Sequence, residues 1–243
     1  MDFRAETGAS PRPDLSRTIE GDFETHLTVR TDRRGRAERA ERAHHADRAD
    51  RAGALADWAA AHGLRLTHVV LDRGRTPSRP TLTLCGSGSL DEQRHATERC
   101  VRSLAEAGFT VVRTRLAAAP WNEGVPRNDA EAAALPAYCR FEHRVTLRLP
   151  IPYHAGRLTA VVERHTAHLS RDARRVLPGG AQERAVTQRL RGLGRPEARV
   201  RLEALLDALT RAGFQPVDVR EEFVLYDDNP AADGGWVEEW SGR

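Results

Sequence analysis

An internal repeat is the sequence feature that most limits how this chain can fold. Residues 23–30, FETHLTVR, match residues 141–148, FEHRVTLR, with the same Phe, Glu, Thr and Arg at equivalent positions. Residues 104–109 and 209–214 share the pattern Leu-x-x-Ala-Gly-Phe. A third pair, with the pattern Gly-x-Gly, lies at residues 86–88 and 192–194. Because the pairs keep their order and nearly their spacing, the sequence predicts a duplication of one structural unit.

Hydrophobic periodicity and turn residues predict the same order of elements in both halves. In the first half we expect strand 23–30, helix 36–62, strands 66–71 and 81–85, helix 89–108 and strand 110–116. In the second half we expect strand 140–149, helix 155–168, a weak strand at 170–176, strand 183–191, helix 196–212 and strand 214–226. This order is that of the ferredoxin-like βαββαβ unit, in which two helices cover one face of an antiparallel sheet. The sequence therefore predicts an α+β fold of two ferredoxin-like repeats that form a pseudo-twofold, bilobal protein.

The domain boundaries follow from these elements. Three prolines, Pro120, Pro126 and Pro136, mark the segment between the halves as a linker, with one helical turn expected at 129–134. The regions are a disordered N-terminal tail (1–20), the first repeat (21–117), the linker (118–138), the second repeat (139–226) and a C-terminal tail (227–243).

Composition excludes several classes of protein. All 38 basic residues are Arg, and 35 acidic residues leave a net charge of only +3, which argues against binding to duplex DNA. The three cysteines form no CxxC pair, so neither a disulfide framework nor a structural zinc site is expected. The sequence shows no signal peptide and no apolar stretch long enough for a membrane span. We expect a cytoplasmic protein without a membrane partner.

The two repeated strands carry matching rows of polar side chains. Alternation along a strand places one row on a single face, and this row contains Glu24, His26, Thr28 and Arg30. The equivalent row of the second repeat contains Glu142, Arg144, Thr146 and Arg148. Other strands add Arg113, Arg115 and Arg189. If the apolar rows face the helices, both polar rows lie on the open sheet faces and line a cleft between the repeats.

These residue types suit an anion site. Arg side chains bind phosphate or carboxylate, Thr hydroxyls donate hydrogen bonds, and Glu and His transfer protons. The predicted ligand is a phosphorylated or otherwise anionic small molecule, such as a nucleotide or an RNA end, with phosphoester hydrolysis or transfer as the reaction. His26 would act as acid or base, oriented by Glu24 and Glu142. The residues expected to hold the anion are Thr28, Arg30, Arg144, Thr146, Arg148, Arg113, Arg115 and Arg189.

A second interpretation from the same residues stays open. Alternating charged residues are also typical of a solvated sheet face, and paired sheets can bury such rows in salt bridges. The chain would then be a noncatalytic ligand-binding or regulatory and interaction protein. No cofactor is identified, and a homodimer is left open because ferredoxin-like sheets often extend or stack across subunits.

The acidic residues near the C-terminus are candidate metal ligands. Glu221, Glu222, Asp227, Asp228 and Asp233 could bind a metal together with Glu24 or Glu142. The Glu-x-Glu-x-Lys signature of triphosphate-processing tunnel enzymes is absent, and a polar turn is the favoured interpretation. No metal ligands are therefore assigned from the sequence.

The segment from His26 to Thr28 resembles the H-x-T motif of the two-histidine phosphoesterases. In that family a duplicated fold brings two strands with H-x-T or H-x-S to either side of a cyclic phosphate. The second repeat of this chain has Arg144 and Thr146 at the equivalent positions, and the period of the strand puts His143 on the other face. The resemblance implies one catalytic histidine, with Arg144 and Thr146 holding a phosphate.

A broader resemblance covers most of the chain. The strand 23–30, the segment 141–144, the run QERAVTQR at 182–189 and the ending EFVLYD at 222–227 are similar to an uncharacterised bacterial family of duplicated ferredoxin-like proteins. This resemblance implies the fold and no activity.

Overall fold

The computed structural model of the chain describes residues 19–30, 41–70, 78–170 and 175–230. The predicted tails lie outside these ranges, apart from residues 19–20 and 227–230. The predicted helix start at 36–40 and Leu71 also lie outside them. In the described part of the chain, no helix combines the length and apolar character needed to cross a bilayer.

The first half has the predicted order of elements. These are β1 (Glu20–Arg30), α1 (Glu41–Ala61), β2 (Arg65–Val70), β3 (Ser78–Ser89), α2 (Leu90–Glu106) and β4 (Thr110–Ala118). The strands are antiparallel and lie in the order β2-β3-β1-β4, which is the ferredoxin-like order. Ser89 begins α2 through a reciprocal capping box with Glu92, which satisfies two backbone N–H groups at the helix start.

The linker and the second half follow. The helical turn expected in the linker is α3 (Asp129–Ala133). The later elements are β5 (Arg140–Leu149), α4 (Ala155–Arg164), β6 (Ala167–Leu169), β7 (Arg175–Val176), β8 (Gln182–Leu190), α5 (Arg195–Arg211) and β9 (Gln215–Asp227). The strand order β9-β5-β8-β6 repeats that of the first half, and β7 pairs with β8 beside β6.

Helix α4 is shorter than the sequence predicts. It ends at Arg164, and Thr166 follows with a φ of 54°. A residue in this left-handed conformation stops a helix, because its backbone cannot continue the helical hydrogen-bond pattern. Strand β6 (Ala167–Leu169) therefore begins where the sequence predicts the end of the helix. Of the weak strand expected at 170–176, the described residues form β7 (Arg175–Val176), and residues 171–174 lie outside the described ranges.

The two halves share one continuous sheet. Strands β4 and β9, each the last strand of its half, pair antiparallel, with Leu116 opposite Tyr226 and Ala117 opposite Val224. The resulting strand order is β2-β3-β1-β4-β9-β5-β8-β6. The pairing satisfies backbone groups that would otherwise lie at two open sheet edges. The strands that carry the two polar rows, β1 and β5, therefore flank the β4–β9 pair, with these two strands between them.

A hydrophobic cluster extends across the junction on the helical side of the sheet. It contains Phe23 of the first half, Phe141 and Phe223 of the second, and residues of both α2 and α5, Leu90 and Ala198. The rings of Phe141 and Phe223 lie 4.8 Å apart between centroids. Burial of each such side chain stabilises the fold by about 1.5–3 kcal/mol. Because helices of both halves pack on this cluster, they cover one face of the sheet, and the other face carries the polar rows of both halves.

Candidate functional site

Strand β1 shows the alternation that the sequence predicts. Phe23, Leu27 and Val29 are buried. The polar row, Glu24, His26, Thr28 and Arg30, is partly exposed on the opposite face. The first predicted row therefore lies on the open face of the sheet.

The row on strand β5 lies on the same face but is buried more deeply. Glu142 and Thr146 are buried, whereas Arg144 and Arg148 are exposed. The Thr146 Oγ1 atom is buried and has no hydrogen-bond partner among the described residues. The two rows thus lie on one sheet rather than on two facing sheets.

A buried ion-pair network occupies the face between the rows. At its centre Arg115 Nη2 of β4 lies 3.3 Å from Glu142 Oε1 of β5 and 2.5 Å from Glu222 Oε2 of β9. The other pairs are Arg140 Nη2 with Glu142 Oε2 at 3.2 Å, Arg189 Nε with Glu142 Oε2 at 3.0 Å, Arg140 Nη2 with Asp227 Oδ2 at 3.2 Å and Arg113 Nη2 with Asp227 Oδ2 at 2.7 Å. Because β4 belongs to the first half and β5 and β9 to the second, the network joins the halves.

The guanidinium groups keep the buried carboxyls ionised. Burial on its own would raise the pKa of Glu142, but Arg115, Arg189, Arg140 and Arg144 outweigh it and lower that pKa from 4.5 to about 2. Burial would also raise the pKa of Glu222, but the charge of Arg115, with smaller contributions from His26 and Arg144, outweighs burial and lowers that pKa. The pKa of Asp227 is also lowered, because hydrogen bonds and charge from Arg113 outweigh its burial. All three acids are therefore charged partners at neutral pH.

The arginines predicted to hold an anion fall into two groups. Arg113, Arg115 and Arg189 are mostly buried and are paired with carboxylates of the network. The side chain of Arg144 is 51% exposed and lies 3.9 Å from Glu142 Oε1. Arg30 and Arg148 lie towards solvent on their strands. The side chains of the second group are the more exposed to a ligand.

His26 lies at one end of the network, between carboxylates from two strands. Its Nε2 atom is 3.5 Å from Glu24 Oε2 and 3.7 Å from Glu222 Oε1. Its Nδ1 atom lies 3.3 Å from the hydroxyl oxygen of Thr83 on β3. Of the two acids expected to orient His26, Glu24 contacts it, and the second contact is Glu222 instead of Glu142. The sequence marked Glu222 as an acid near Glu24, but not its position beside His26, which depends on the β4 to β9 pairing.

His26 and Arg144, the equivalent residues of the two repeats, lie on the same face and both act on Glu222. Each lowers the pKa of that carboxyl, by less than Arg115 does. His143, by contrast, is buried on the helical side, where Nδ1 lies 2.9 Å from Gln188 Oε1. Burial lowers the pKa of His143 below 6.5. This position agrees with the period of the strand and keeps His143 away from the polar rows.

A pocket lies at the junction of the first half, the linker and α5. Its volume is about 610 Å³, and its lining includes Glu20, Trp121, Glu123, Arg127 and Arg195. The side chain of Trp121 is 69% exposed. Next to it, Asn122 fixes the linker to β1, because its side chain accepts from Asp22 N at 3.0 Å and donates to Asp22 O at 2.7 Å. The sequence predicts this segment only as a linker between the halves.

Comparisons with known proteins identify no family for this chain. No family model matches the sequence, and no curated protein matches it. Among solved structures, the chain has a likeness to the small subunit of acetolactate synthase from Thermotoga maritima, with 13% identity, 85% of this chain and 95% of the other covered, and a TM-score of 0.31. The fold is defined by the strand order of the chain itself.

Proposed function

We propose that this chain is a noncatalytic ligand-binding protein with a regulatory role, in which a buried ion-pair network holds two halves together. The observation that carries the proposal is the pairing of Arg113, Arg115 and Arg189 with buried carboxylates. The common strand order of the halves also supports our inference that they arose by duplication of one unit.

An anion would have to compete with the network for these guanidinium groups. Displacing Glu142 from Arg115 would leave a carboxylate that is 4% exposed without one of its main partners. Breaking a buried pair in this way costs about 3–5 kcal/mol, which a single phosphate contact does not offset. The network is therefore better suited to hold the sheet together than to bind a phosphorylated substrate.

The pocket beside Trp121 is the ligand site that this proposal favours. It is lined by Glu20 from β1, by the linker and by Arg195 from α5. A small molecule bound there contacts both halves, so its affinity depends on how the halves are placed. This dependence is the physical basis for a regulatory role. An exposed aromatic ring with charged groups of both signs suits a small polar ligand that has a flat apolar part.

Assays of the phosphoester hypothesis test the proposal. The full chain would be incubated with bis(4-nitrophenyl) phosphate and with a 2′,3′-cyclic nucleotide, and binding of inorganic phosphate and AMP would be measured by calorimetry. We expect no turnover, and no phosphate or AMP binding that depends on His26. His26→Ala would be compared with His95→Ala, which changes an exposed histidine of α2. Turnover in the wild type and in His95→Ala, lost in His26→Ala, would instead establish the phosphoesterase hypothesis.

The pocket is tested separately. A thermal-shift screen of amino acids, nucleosides and aromatic acids would be run on the full chain and on Trp121→Ala. The matched control is Ile151→Ala, since Ile151 is 57% exposed and does not line the pocket. A ligand that stabilises the wild type and the control but not Trp121→Ala supports the site. Stabilisation that survives in Trp121→Ala places the ligand elsewhere.

A further inference from the structure

The side chains around His26 have the composition of a metal site. One imidazole nitrogen and two carboxylate oxygens, from Glu24, His26 and Glu222, all lie within 4.8 Å of one another. Glu24 and His26 stand on β1 of the first half and Glu222 on β9 of the second. Strand β4 runs between them, and the residue opposite Glu24 on β4 is Ala117. A small side chain at that place leaves room for Glu222 to reach across to His26.

The separations fit metal ligands better than hydrogen bonds. His26 Nε2 lies 3.5 Å from Glu24 Oε2 and 3.7 Å from Glu222 Oε1. Ordinary N–H···O bonds measure about 2.7–3.2 Å. Ligand atoms at about 2.0–2.2 Å from a tetrahedral zinc ion lie about 3.3–3.6 Å from each other. The two separations from His26 Nε2 are therefore within a few tenths of an ångström of those in a coordination shell, and the two carboxylate oxygens lie within 4.8 Å of each other.

Each candidate ligand side chain also contacts a neighbour through its second nitrogen or oxygen atom, the one not assigned to the metal. His26 Nδ1 lies 3.3 Å from Thr83 Oγ1, and Glu222 Oε2 lies 2.5 Å from Arg115 Nη2. Glu24 Oε1 lies 3.5 Å from Arg65 Nη2. Such contacts orient metal ligands, and a hydrogen bond at one imidazole nitrogen fixes the other as the donor to the ion.

We propose that Glu24, His26 and Glu222 form a binding site for a divalent transition-metal ion such as Zn²⁺, with ligands from both halves of the chain. One nitrogen and two oxygen ligands suit zinc and its neighbours in the first transition row. Magnesium and calcium prefer oxygen ligands throughout, so they bind more weakly here. The inference adds a ligand to the proposed function and does not depend on it.

Metal titration of the full, tag-free chain tests the site. Zn²⁺ binding would be measured by calorimetry against a competing chelator, and Co²⁺ would report coordination through its visible absorption bands. We expect Glu24→Gln and His26→Gln to weaken Zn²⁺ binding by more than the roughly 10- to 100-fold that loss of an orienting neighbour costs. Thr83→Val, which removes only the neighbour of Nδ1, should weaken it within that range.

Matched controls separate the site from other donors on the chain. His95→Gln and Glu98→Gln change exposed residues of α2 and should leave affinity and spectrum unchanged. Circular dichroism of each variant checks that it is folded, and Glu24→Gln is the most conservative variant because its side chain is 34% exposed. The proposal is overturned if the wild type binds no Zn²⁺, or if folded Glu24→Gln and His26→Gln bind it as tightly as the wild type. Either result leaves the phosphoester and pocket assays to decide the proposed function on their own.

Discussion

Arg115 and Glu142 form an ion pair across the two halves of the chain, with 3.3 Å between Nη2 and Oε1 and side chains that are 8% and 4% exposed. Arg115 stands on β4 and Glu142 on β5, and β9 lies between these strands in the sheet. Glu222 on β9 contacts the same guanidinium group, so Arg115 is the residue that ties all three strands together on this face.

Arg115→Met should destabilise the fold. The substitution keeps an unbranched apolar stem but leaves Glu142 and Glu222 without their shared cation, and loss of one partner from a buried pair costs about 3 kcal/mol or more. Urea unfolding monitored by circular dichroism measures the change. The control is Arg127→Met, because Arg127 is 78% exposed. Equal unfolding free energies for the two variants would show that the network contributes little.

Acid should weaken the fold through Glu142. The pKa of this carboxyl is lowered from 4.5 to about 2 in the folded chain, because its four arginine neighbours outweigh the effect of burial. A lowered folded-state pKa gives stability that is complete above about pH 4.5 and is lost as the pH falls towards 2. The loss from Glu142 is about 3 kcal/mol, and Glu222 and Asp227 act in the same direction. The midpoints of urea unfolding, measured between about pH 5 and pH 2, check this loss of stability. In Glu142→Gln the unfolding free energy should depend less steeply on pH.

Gln188→Leu should destabilise the core beneath the sheet. Gln188 is 1% exposed, and its side chain bonds both to His143 Nδ1 at 2.9 Å and to the carbonyl oxygen of His165 at 2.8 Å. Removing it leaves buried polar atoms without partners, which costs about 1–3 kcal/mol. Gln215→Leu is the exposed control and should change the unfolding free energy by less than about 0.5 kcal/mol. A loss no larger in Gln188→Leu than in the control would contradict the packing described.

Thr146→Val should be neutral or stabilising. The Thr146 hydroxyl is buried without a hydrogen-bond partner among the described residues, and valine has nearly the same shape without the polar atom. Relief of the desolvation penalty is worth about 1 kcal/mol. Thermal unfolding measures the melting temperatures of Thr146→Val and of Thr28→Val. Thr28 is the counterpart of Thr146 in the partly exposed row of β1. Marked destabilisation of Thr146→Val alone would mean that the hydroxyl has a bonding role, as the anion hypothesis requires.

Gly194→Ala should weaken the contact between the linker and the start of α5. Gly194 N donates to Asp129 Oδ1 at 2.8 Å, and a Cβ atom at Gly194 would lie 2.4 Å from Asn128 Cα. A backbone clash of this kind costs about 1–3 kcal/mol. Gly156→Ala in α4 is the control, because a Cβ there meets nothing within 4 Å and alanine favours a helix. Differential calorimetry should show a lower melting temperature for Gly194→Ala and an equal or higher one for Gly156→Ala.

Much of the fold could be predicted because it is encoded locally. The alternation in β1 and the bounds of β5 at 140–149 follow from short-range periodicity, and the capping box at Ser89 marks the start of α2. Strand β3 runs past its predicted end at residue 85 to Ser89, since Gly88, with a φ of 124°, pairs with Gly21 of β1. Only glycine adopts that conformation without strain, so the Gly-x-Gly pattern belongs to the strand.

The candidate site could be predicted only in part, because it depends on the pairing of β4 with β9. The sequence predicts one polar row each for β1 and β5, and Glu24, His26 and Glu142 lie on one face of the sheet, where Glu142 is buried in the ion-pair network. Nothing local to β4 or β9 specifies that these two edges meet. Without that contact, the sequence gives no reason to expect Arg115 to be neutralised by Glu222, or Glu222 to lie beside His26.

The β4 to β9 pairing also limits how a second copy of the chain could associate. Because one edge strand of each half is paired at the junction, the outermost strands of the described sheet are β2 at one end and β6 with β7 at the other. Strand β6 has 3 residues and β7 has 2, so they offer few backbone groups for hydrogen bonds with a strand of a second copy. A homodimer that extended the sheet would therefore have to pair a strand of the second copy with β2 (Arg65–Val70), the longer of the two edges of the described sheet.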